Sequence, residues 1–281
     1  MYLTAYIFFK TFLFFVNIKY GGNLSAEFPR KGKLKKGVNM GVESFLQYMR
    51  DLYGKVNSSV LHATSSGSNS QQIAFMRQLQ KDLKVEVASR LPLSDLKAVV
   101  FDIETTGFLP DKGDQIISIG AIKVQGCEIL DDQFYTLVNA GVDIPDDITR
   151  LTGIQNEDIK DAPPLSDVLI GFFEFIQKDT LVAHHSAHEK NFMQSACWKQ
   201  FKTPFKHRIV DTSFLFRIVE PKQKLHTLED WCMYSDIPVR DRHHALGDAK
   251  LTAILWCEYL QKAQELGCRT LQDIYERLSR C

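Results

Sequence analysis

The sequence predicts an α/β fold in which helices flank a mixed sheet of five strands. Three segments near the middle of the chain have the composition of strands and follow one another directly. Helical segments then alternate with two further short strands. Strands in succession, followed by alternating helices and strands, are typical of an α/β domain with a mixed sheet. We place this domain at residues 96–262.

The first strand of the domain has the clearest pattern, because Ala98–Phe101 is a continuous apolar run typical of a buried strand. The periodicity of apolar residues gives the other elements. We predict further strands at Ile116–Val124, Glu128–Val138, Thr180–His184 and Arg208–Asp211. We predict helices at Pro163–Gln177, at His188–Gln200, after Asp211 as far as Val219, and at Ala245–Leu266.

A helical extension is predicted ahead of the domain, in residues 40–95. Apolar residues at helical spacing predict helices at Val42–Lys55 and at about Gln72–Leu91. The Ser-, Asn- and Gly-rich segment Asn57–Gln71 between them is typical of a flexible linker. The two helices pack on the domain, dimerise or bind a partner, and the sequence leaves these alternatives open. A C-terminal helix is expected within residues 263–281.

Residues 1–39 combine an apolar stretch, Tyr2–Ile18, with a basic stretch. The apolar stretch follows no basic segment and precedes no small-residue cleavage site, which argues against a secretory signal. Lys10 interrupts this apolar stretch, and the length of the stretch is marginal for a membrane span. Codons for Lys35–Met40 can contain a purine-rich run just upstream of ATG, like a bacterial ribosome-binding site. We therefore expect Met40 to be the start and 1–39 an untranslated leader; the alternative is a hydrophobic, basic extension that anchors the chain to a membrane.

The charge of the chain is unevenly distributed, although its 34 basic and 34 acidic residues balance. Residues 1–39 hold seven basic residues and one acidic residue, so 27 basic and 33 acidic residues remain from Met40 onward, a net charge of −6. A global positive field therefore does not hold nucleic acid on this domain. The six cysteines include no C-x-x-C pair, which favours reduced thiols and a cytoplasmic location over disulfides or zinc.

Two carboxylates stand at the end of the first strand. Asp102 and Glu104 are two residues apart, so their side chains point to the same face of the sheet. A charge at the end of an apolar strand is costly unless a cation or another partner compensates it. Hard oxygen ligands in this arrangement suit Mg²⁺ or Mn²⁺. The alternative is a polar strand end that leads into a turn at Thr105–Gly107.

A histidine and an aspartate mark the start of the long C-terminal helix. His243 is predicted at the boundary between loop and helix, with Asp248 about one turn inside the helix. A histidine in that position reaches solvent and takes up a proton near neutral pH. The alternative is a surface histidine beside an acid that only favours the positive end of the helix dipole.

A third polar segment lies between the strand that ends at His184 and the helix that follows it. This segment places Glu189 in the first turn of the helix. His188 and Glu189 look like the start of the zinc-protease motif H-E-x-x-H, but Phe192 stands where the second histidine is needed. We therefore expect no zinc site here.

These three segments, in this order, resemble the motifs of the DEDDh exonucleases, the family of the bacterial DNA polymerase III proofreading (epsilon) subunit and RNase T. Asp102–Gly107 matches D-x-E-T-T-G, and His243–Asp248 matches H-x-A-x-x-D. Val182–Phe192 follows V-A-H-N-A-x-F-D-x-x-F with three changes, namely His185 for Asn, His188 for Phe and Glu189 for Asp. The resemblance spans about residues 96–262.

The resemblance implies an RNase H-like fold and a metal-dependent 3′→5′ exonuclease that acts on single-stranded nucleic acid. DNA is the favoured substrate and RNA the alternative; a second alternative is a nucleic-acid-binding module of the same fold, catalytically weakened by Glu189. After Leu260 only about twenty residues remain. The long polymerase-binding tail of the epsilon subunit has no counterpart in them, so we expect no stable association with a polymerase. We expect membrane association only if residues 1–39 are translated.

The resemblance also assigns roles to individual residues around two divalent cations, Mg²⁺ or Mn²⁺. Asp102 would bridge both cations, with Glu104 and Asp248 completing the more tightly held one and Glu189 near the other. His243 would be the general base for the attacking water. Residues after the first strand, together with one from the second motif, would contact the 3′-terminal nucleotide: Thr105, Thr106, Gly107, Phe108 and His184.

Overall fold

The computed structural model describes residues 73–75, 77–78 and 89–280. These residues contain one five-stranded sheet with the strand order β3-β2-β1-β4-β5. The central strand β1 is antiparallel to β2 and parallel to β4, so the predicted mixed sheet is confirmed. The strands are β1 (Lys97–Thr105), β2 (Ile116–Gln125), β3 (Glu128–Leu137), β4 (Thr180–Ala183) and β5 (Ile209–Asp211).

Eight α-helices accompany the sheet in the described part of the chain. They are α1 (Asp146–Thr152), α2 (Asn156–Lys160), α3 (Leu165–Ile176), α4 (Ala187–Phe201), α5 (Thr212–Val219), α6 (Leu228–Tyr234), α7 (Ala245–Glu265) and α8 (Leu271–Leu278). The long helices at α3, α4 and α7 confirm the helical periodicity in the sequence. The short helices α1, α2 and α6 were not predicted.

Helices cover both faces of the sheet, and β1 is buried between them. Val99 and Phe101 of β1 belong to the core under α3 and α4. Ala98 and Val100, which alternate with them, belong to the core under α5 and α7. Because side chains alternate along a strand, Asp102 continues the row of Ala98 and Val100 on the α7 side. The fold therefore places both β1 carboxylates, two residues apart, toward the start of α7.

The N-terminal extension is described only in part. The helix predicted at Val42–Lys55 lies outside the described residues. Residues 73–75 and 77–78 are helical, as predicted, but 89–91 form a turn and a bend. The predicted helix end at Leu91 is therefore wrong, because Leu91 precedes Pro92 and the residue before a proline is disfavoured in the α conformation. None of the helices in the described ranges has the length and apolar character needed to cross a membrane.

Candidate active site

Gly120 allows α7 to approach the sheet closely enough to bring Asp248 to β1, and Gly247 allows the loop before α7 to lie against this helix. Gly120 on β2 lies directly opposite Asp102, and a Cβ atom on Gly120 would stand 2.1 Å from the backbone nitrogen of Leu246. A Cβ atom on Gly247 would stand 2.2 Å from the carbonyl oxygen of Asp241. A larger residue at either position would push α7 away from the sheet or from the loop before it. Sequence reasoning did not identify these two contacts.

Asp102, Glu104 and Asp248 form a cluster, called here the three-carboxylate cluster. One carboxylate oxygen of each lies within 4.8 Å of the others. Glu104 and Asp248 are buried and Asp102 is partly buried. The structure thus brings together residues 146 positions apart in the sequence, as the motifs predicted.

Burial and mutual repulsion disfavour the charged forms of these carboxylates. Burial, followed by the charges of Glu189, Glu104 and Asp248, raises the pKa of Asp102 well above its usual value. Burial, followed by the charge of Asp248, raises the pKa of Glu104 to about 7. The positive charge of Arg242 acts in the opposite direction on the pKa of both groups. A cluster of this kind favours binding of a cation that compensates several carboxylates at once.

The two oxygens of Asp248 have different surroundings. Oδ2 accepts hydrogen bonds from Nη1 of Arg242 and, at 3.2 Å, from the backbone nitrogen of His243. Oδ1 is buried, with no hydrogen-bond partner among the described residues. A buried polar atom without a partner calls for an explanation such as an ion. Oδ1, beside two further carboxylates, is a ligand set of hard oxygens that fits a divalent cation such as Mg²⁺ or Mn²⁺.

His243 combines an uncommon backbone conformation with a ring that has no hydrogen-bond partner among the described residues. Its φ angle of 59° lies in the left-handed region, which is uncommon for residues other than glycine. The hydrogen bond from its backbone nitrogen to Asp248 helps to hold this conformation. Within the described ranges its ring nitrogens make no hydrogen bond. The side chain that the motif predicts as a base is therefore left available to a substrate or water.

His244, the next residue, has a structural role. It is the N-cap of α7, and its Nδ1 accepts a hydrogen bond from the backbone nitrogen of Gly247 at 3.3 Å. Its ring stacks on that of Tyr135, with 4.4 Å between the ring centroids. The two adjacent histidines thus differ clearly in their contacts, which the sequence motif alone did not reveal.

Glu189 lies in the first turn of α4, as predicted, but outside the three-carboxylate cluster. It is only 4% exposed, and its Oε2 has no hydrogen-bond partner in the part of the chain that the structure describes. Burial, followed by the charges of Asp211 and Glu104, raises its pKa to about 8. Its own charge in turn raises the pKa of Asp102. Glu189 therefore belongs to the same electrostatic site, at its edge.

Asp211, which sequence reasoning did not assign to the site, is held firmly beside Glu189. Its Oδ2 accepts from the backbone nitrogen of Ser186 at 2.7 Å, and its Oδ1 from that of Ser213 at 2.9 Å. Burial alone would raise the pKa of Asp211, but these hydrogen bonds lower it below the usual value. Asp211 thus stays charged and connects the end of β5 to the start of α4.

The histidines at the end of β4 contact the loop before α6. Nδ1 of His184 lies 2.8 Å from Oγ1 of Thr212, and its Nε2 lies 3.3 Å from the carbonyl oxygen of His226. His185, which replaces the family's asparagine, contacts the same carbonyl oxygen through Nε2. Burial lowers the pKa of His184 to about 4. Since both ring nitrogens of His184 have protein partners, its role toward the substrate stays a prediction.

The turn after β1 is held by side-chain hydrogen bonds and presents an exposed aromatic ring. Thr105 donates from Oγ1 to the carbonyl oxygen of Gly107 at 2.6 Å, and Thr106 Oγ1 accepts from the backbone nitrogen of Gln115 at 2.9 Å. Phe108 is 77% exposed, and its ring packs edge-on against His188 at 5.9 Å. An aromatic ring with this much exposed surface is suited to stacking on a base.

A sequence model described as the RNase T exonuclease family matches residues 99–256, which is more than half of the chain. The chain belongs to this exonuclease family and, by its motifs, to the DEDDh group. The name DEDDh stands for four carboxylates and one histidine. At these five positions the chain differs from the group only at Glu189, where the group has aspartate.

Curated relatives of the chain include bacterial DNA polymerases. The PolC-type DNA polymerase III of Caldanaerobacter subterraneus subsp. tengcongensis is 37% identical over 176 residues, which cover 63% of this chain. That of Bacillus subtilis (strain 168) is 36% identical over 181 residues, or 64% of this chain. Each match covers only 12% of the polymerase. The chain thus corresponds to about one eighth of the length of these relatives.

Solved structures with a similar fold include three exonucleases or nucleases. The nuclease domain of 3′hExo, a DEDDh family member bound to rAMP, has a TM-score of 0.53 at 19% identity, covering 59% of this chain and 92% of that one. E. coli Exonuclease I with a dT13 oligonucleotide has a TM-score of 0.53 at 12% identity, and the match covers 62% of this chain and 43% of that one. Cell-death related nuclease 4 (CRN-4) has a TM-score of 0.52 at 17% identity, and the match covers 60% of this chain and 64% of that one. These similarities support the RNase H-like fold.

Proposed function

We propose that this protein is a metal-dependent 3′→5′ exonuclease that acts on single-stranded nucleic acid, with DNA as the favoured substrate. The observation that carries the proposal is the three-carboxylate cluster, with the free ring of His243 on the loop that contacts Asp248. Carboxylate ligands and a nearby base are what phosphodiester hydrolysis by water requires.

Asp102, Glu104 and Asp248 would hold one divalent cation, with Asp102 shared with a second cation near Glu189. When bound, the two cations stabilise the negative charge that develops on the attacking and leaving oxygens. The unpartnered oxygens of Asp248 and Glu189 support this assignment, because both are buried and have no hydrogen-bond partner in the described residues. Burial of the carboxylates also keeps water away from the ligands and so strengthens their attraction for cations.

His243 would accept the proton from the attacking water. An imidazole has an ordinary pKa near neutrality, so it is the side chain best suited to take up a proton there. The bond from its backbone nitrogen to Asp248 anchors the backbone of His243 beside the three-carboxylate cluster, which supports this role.

The 3′-terminal nucleotide would lie against the turn at Thr105–Phe108. Phe108 would stack on the terminal base, a contact that every base can make, so we expect weak sequence preference. Stacking and contacts with the bound cations would compensate for the net charge of −6 from Met40 onward. The relatives that act on DNA favour DNA as the substrate, while the 3′hExo neighbour bound to rAMP favours RNA as the alternative.

A direct test uses matched single-stranded DNA and RNA oligonucleotides labelled at the 5′ end. With Mn²⁺ we expect a ladder of products shortened one nucleotide at a time from the 3′ end, and no products in EDTA. A second pair of oligonucleotides with a blocked 3′ end serves as the control and should stay intact. Binding without any cleavage would replace this proposal with that of a nucleic-acid-binding module. Faster cleavage of RNA would replace DNA as the favoured substrate.

A further inference from the structure

A cation of the protein itself already stands beside the three-carboxylate cluster. Arg242 donates from Nη1 to Oδ2 of Asp248. The side chain of Arg242 is 24% exposed, whereas that of Asp248 is 7% exposed. The family motif begins only at His243, so this arginine has no place in it. The guanidinium is thus a feature of this chain that the nuclease motif does not explain.

The charge of Arg242 acts on the whole cluster and not only on its hydrogen-bond partner. It lowers the pKa of both Asp102 and Glu104, against the effect of burial. Together with Glu189 the site holds four carboxylates, all partly or fully buried. Buried charges without a counter-charge are strongly destabilising. A positive charge near these groups therefore stabilises their ionised forms before any metal ion binds.

We propose that Arg242 is a resident cation of this site: its guanidinium compensates the carboxylates while divalent cations are absent, and it competes electrostatically with those cations when they bind. The inference rests on the proposed function, because it assumes that the cluster binds divalent cations. The surroundings of Asp248 support it, since Arg242 binds Oδ2 and leaves the buried Oδ1 without a hydrogen-bond partner. A divalent cation can therefore approach one oxygen while the arginine still holds the other.

Two opposite effects follow for a protein without this guanidinium. Without its charge, the metal-free protein should be less stable, because the carboxylates repel one another. A divalent cation should bind more tightly, because no positive charge beside the cluster repels it. An arginine with a purely structural role would produce the first effect without the second. The combination of lower metal-free stability and higher cation affinity therefore distinguishes a resident cation from a packing residue.

Arg242→Gln tests this inference, with Arg240→Gln as a matched control, because Arg240 is an exposed arginine two residues earlier in the same loop. We would measure Mn²⁺ affinity by calorimetry, and thermal unfolding in EDTA and in Mn²⁺. We expect Arg242→Gln to bind Mn²⁺ about tenfold more tightly than wild type. Its metal-free Tm should be lower by several degrees, and Mn²⁺ should restore it. Arg240→Gln should match the wild type in every measurement.

Unchanged or weaker Mn²⁺ binding by Arg242→Gln would overturn the inference, and so would a loss of Tm that Mn²⁺ does not restore. If that variant does not fold without metal, Arg242→Lys provides the test, because lysine keeps the charge but not the planar fork. Its Mn²⁺ affinity should lie within about threefold of wild type, and a tenfold gain would contradict a role for the charge. If the wild-type protein binds no Mn²⁺, the proposed function itself is refuted. If the wild-type protein binds Mn²⁺ and Arg242→Gln binds it with the same affinity, only the role of Arg242 is refuted.

Discussion

The two sides of the site differ in how they hold their carboxylates. On the side of β1 and α7, Asp102, Glu104 and Asp248 keep the family's residues and lie within 4.8 Å of one another. On the side of α4, three residues depart from the family pattern, and Glu189 lies outside the cluster. Of the histidines that replace family residues there, His185 contacts the carbonyl oxygen of His226 and His188 contacts Thr105.

The two sides differ because different structural elements position their carboxylates. Sheet register and the contact of Gly120 with α7 fix the first side, so a displaced ligand there would require movement of the sheet. Glu189 stands on the first turn of a helix and carries one more methylene than aspartate, so its side chain must lose more rotamer freedom to reach a cation. We therefore expect the β1–α7 side to hold a cation firmly and the α4 side to hold one more weakly.

The largest effect should come from the centre of the cluster. Asp102→Asn should reduce hydrolysis to the uncatalysed background, because we propose that this carboxylate contacts both cations. The same change removes a buried charge that repels its neighbours, so the metal-free Tm should stay the same or rise. Oligonucleotide cleavage and thermal unfolding measure the two effects. Activity near the wild-type rate would contradict the proposed arrangement of cations.

The adjacent histidines should separate catalysis from stability. His243→Ala should reduce the rate about 10²–10⁴-fold, the range expected for loss of a general base, with little change in oligonucleotide affinity. His244→Ala should change the rate much less, but it removes the N-cap of α7 and should cost about 1 kcal/mol of stability. Rate assays and denaturant unfolding of both variants measure these effects on rate and on stability. The opposite distribution of effects would mean that His244 is the base.

Glu189 should be needed for turnover, and its geometry should affect the choice of metal. Mg²⁺ demands near-ideal octahedral geometry, whereas Mn²⁺ binds the same ligands more tightly in the general affinity order. We therefore expect faster cleavage with Mn²⁺ than with Mg²⁺, and loss of most activity in Glu189→Gln. Glu189→Asp should retain some activity and reduce the difference between the metals. If Glu189→Gln has a wild-type rate, Glu189 only stabilises the start of α4.

The smallest effect concerns the stability of the metal-free protein between pH 7 and 8.5. The folded-state pKa values of Glu104 and Glu189, about 7 and about 8, are raised above their unfolded values. Their contribution is present at low pH and is lost as the pH rises through these values, so stability should fall by on the order of 1 kcal/mol. Unfolding in EDTA at both pH values measures this.

The chosen pH window excludes the histidines and cysteines with shifted pKa values, whereas Asp102, whose pKa burial also raises, contributes in the same direction as the two glutamates. Burial lowers the pKa of His184 and His207, but those histidines affect stability only below their unfolded value of 6.5. Burial raises the pKa of Cys197 and Cys257 to about 12, which matters only near and above 9. Glu189→Gln should weaken the pH dependence. An unchanged slope in that variant would exclude Glu189 as its source.

The sequence predicted the central strand from local rules, and it predicted the three-carboxylate cluster through the resemblance of its motifs to those of the DEDDh exonucleases. The apolar run of β1 indicated a buried strand, and the spacing of Asp102 and Glu104 placed them on one face. The short helix α6 was missed, although Thr227 and Asp230 form a capping box at its start. Helices this short bury few residues, so periodicity gives little signal for them.

Other features of the site depend on contacts that no local pattern contains. Gly120 matters only because α7 crosses the sheet at that residue, which becomes evident once the strands are in register. Asp211 joins the site through its contact with Ser186 of a separate loop, and Arg242 joins it through the fold of the loop before α7 onto Asp248. Their residue types were visible in the sequence, but their distances to the carboxylates were not.

The number of cations bound per chain tests the proposed site most directly. Titration of metal-free protein with Mn²⁺, with free Mn²⁺ followed by its electron paramagnetic resonance signal, counts bound ions without reference to activity. We predict two ions for wild type, with one bound more tightly, and only the tighter ion for Glu189→Gln. Asp102→Asn should bind neither ion at comparable affinity. Wild-type protein that binds no Mn²⁺, or Glu189→Gln protein that binds both ions as wild type does, would contradict the proposed site.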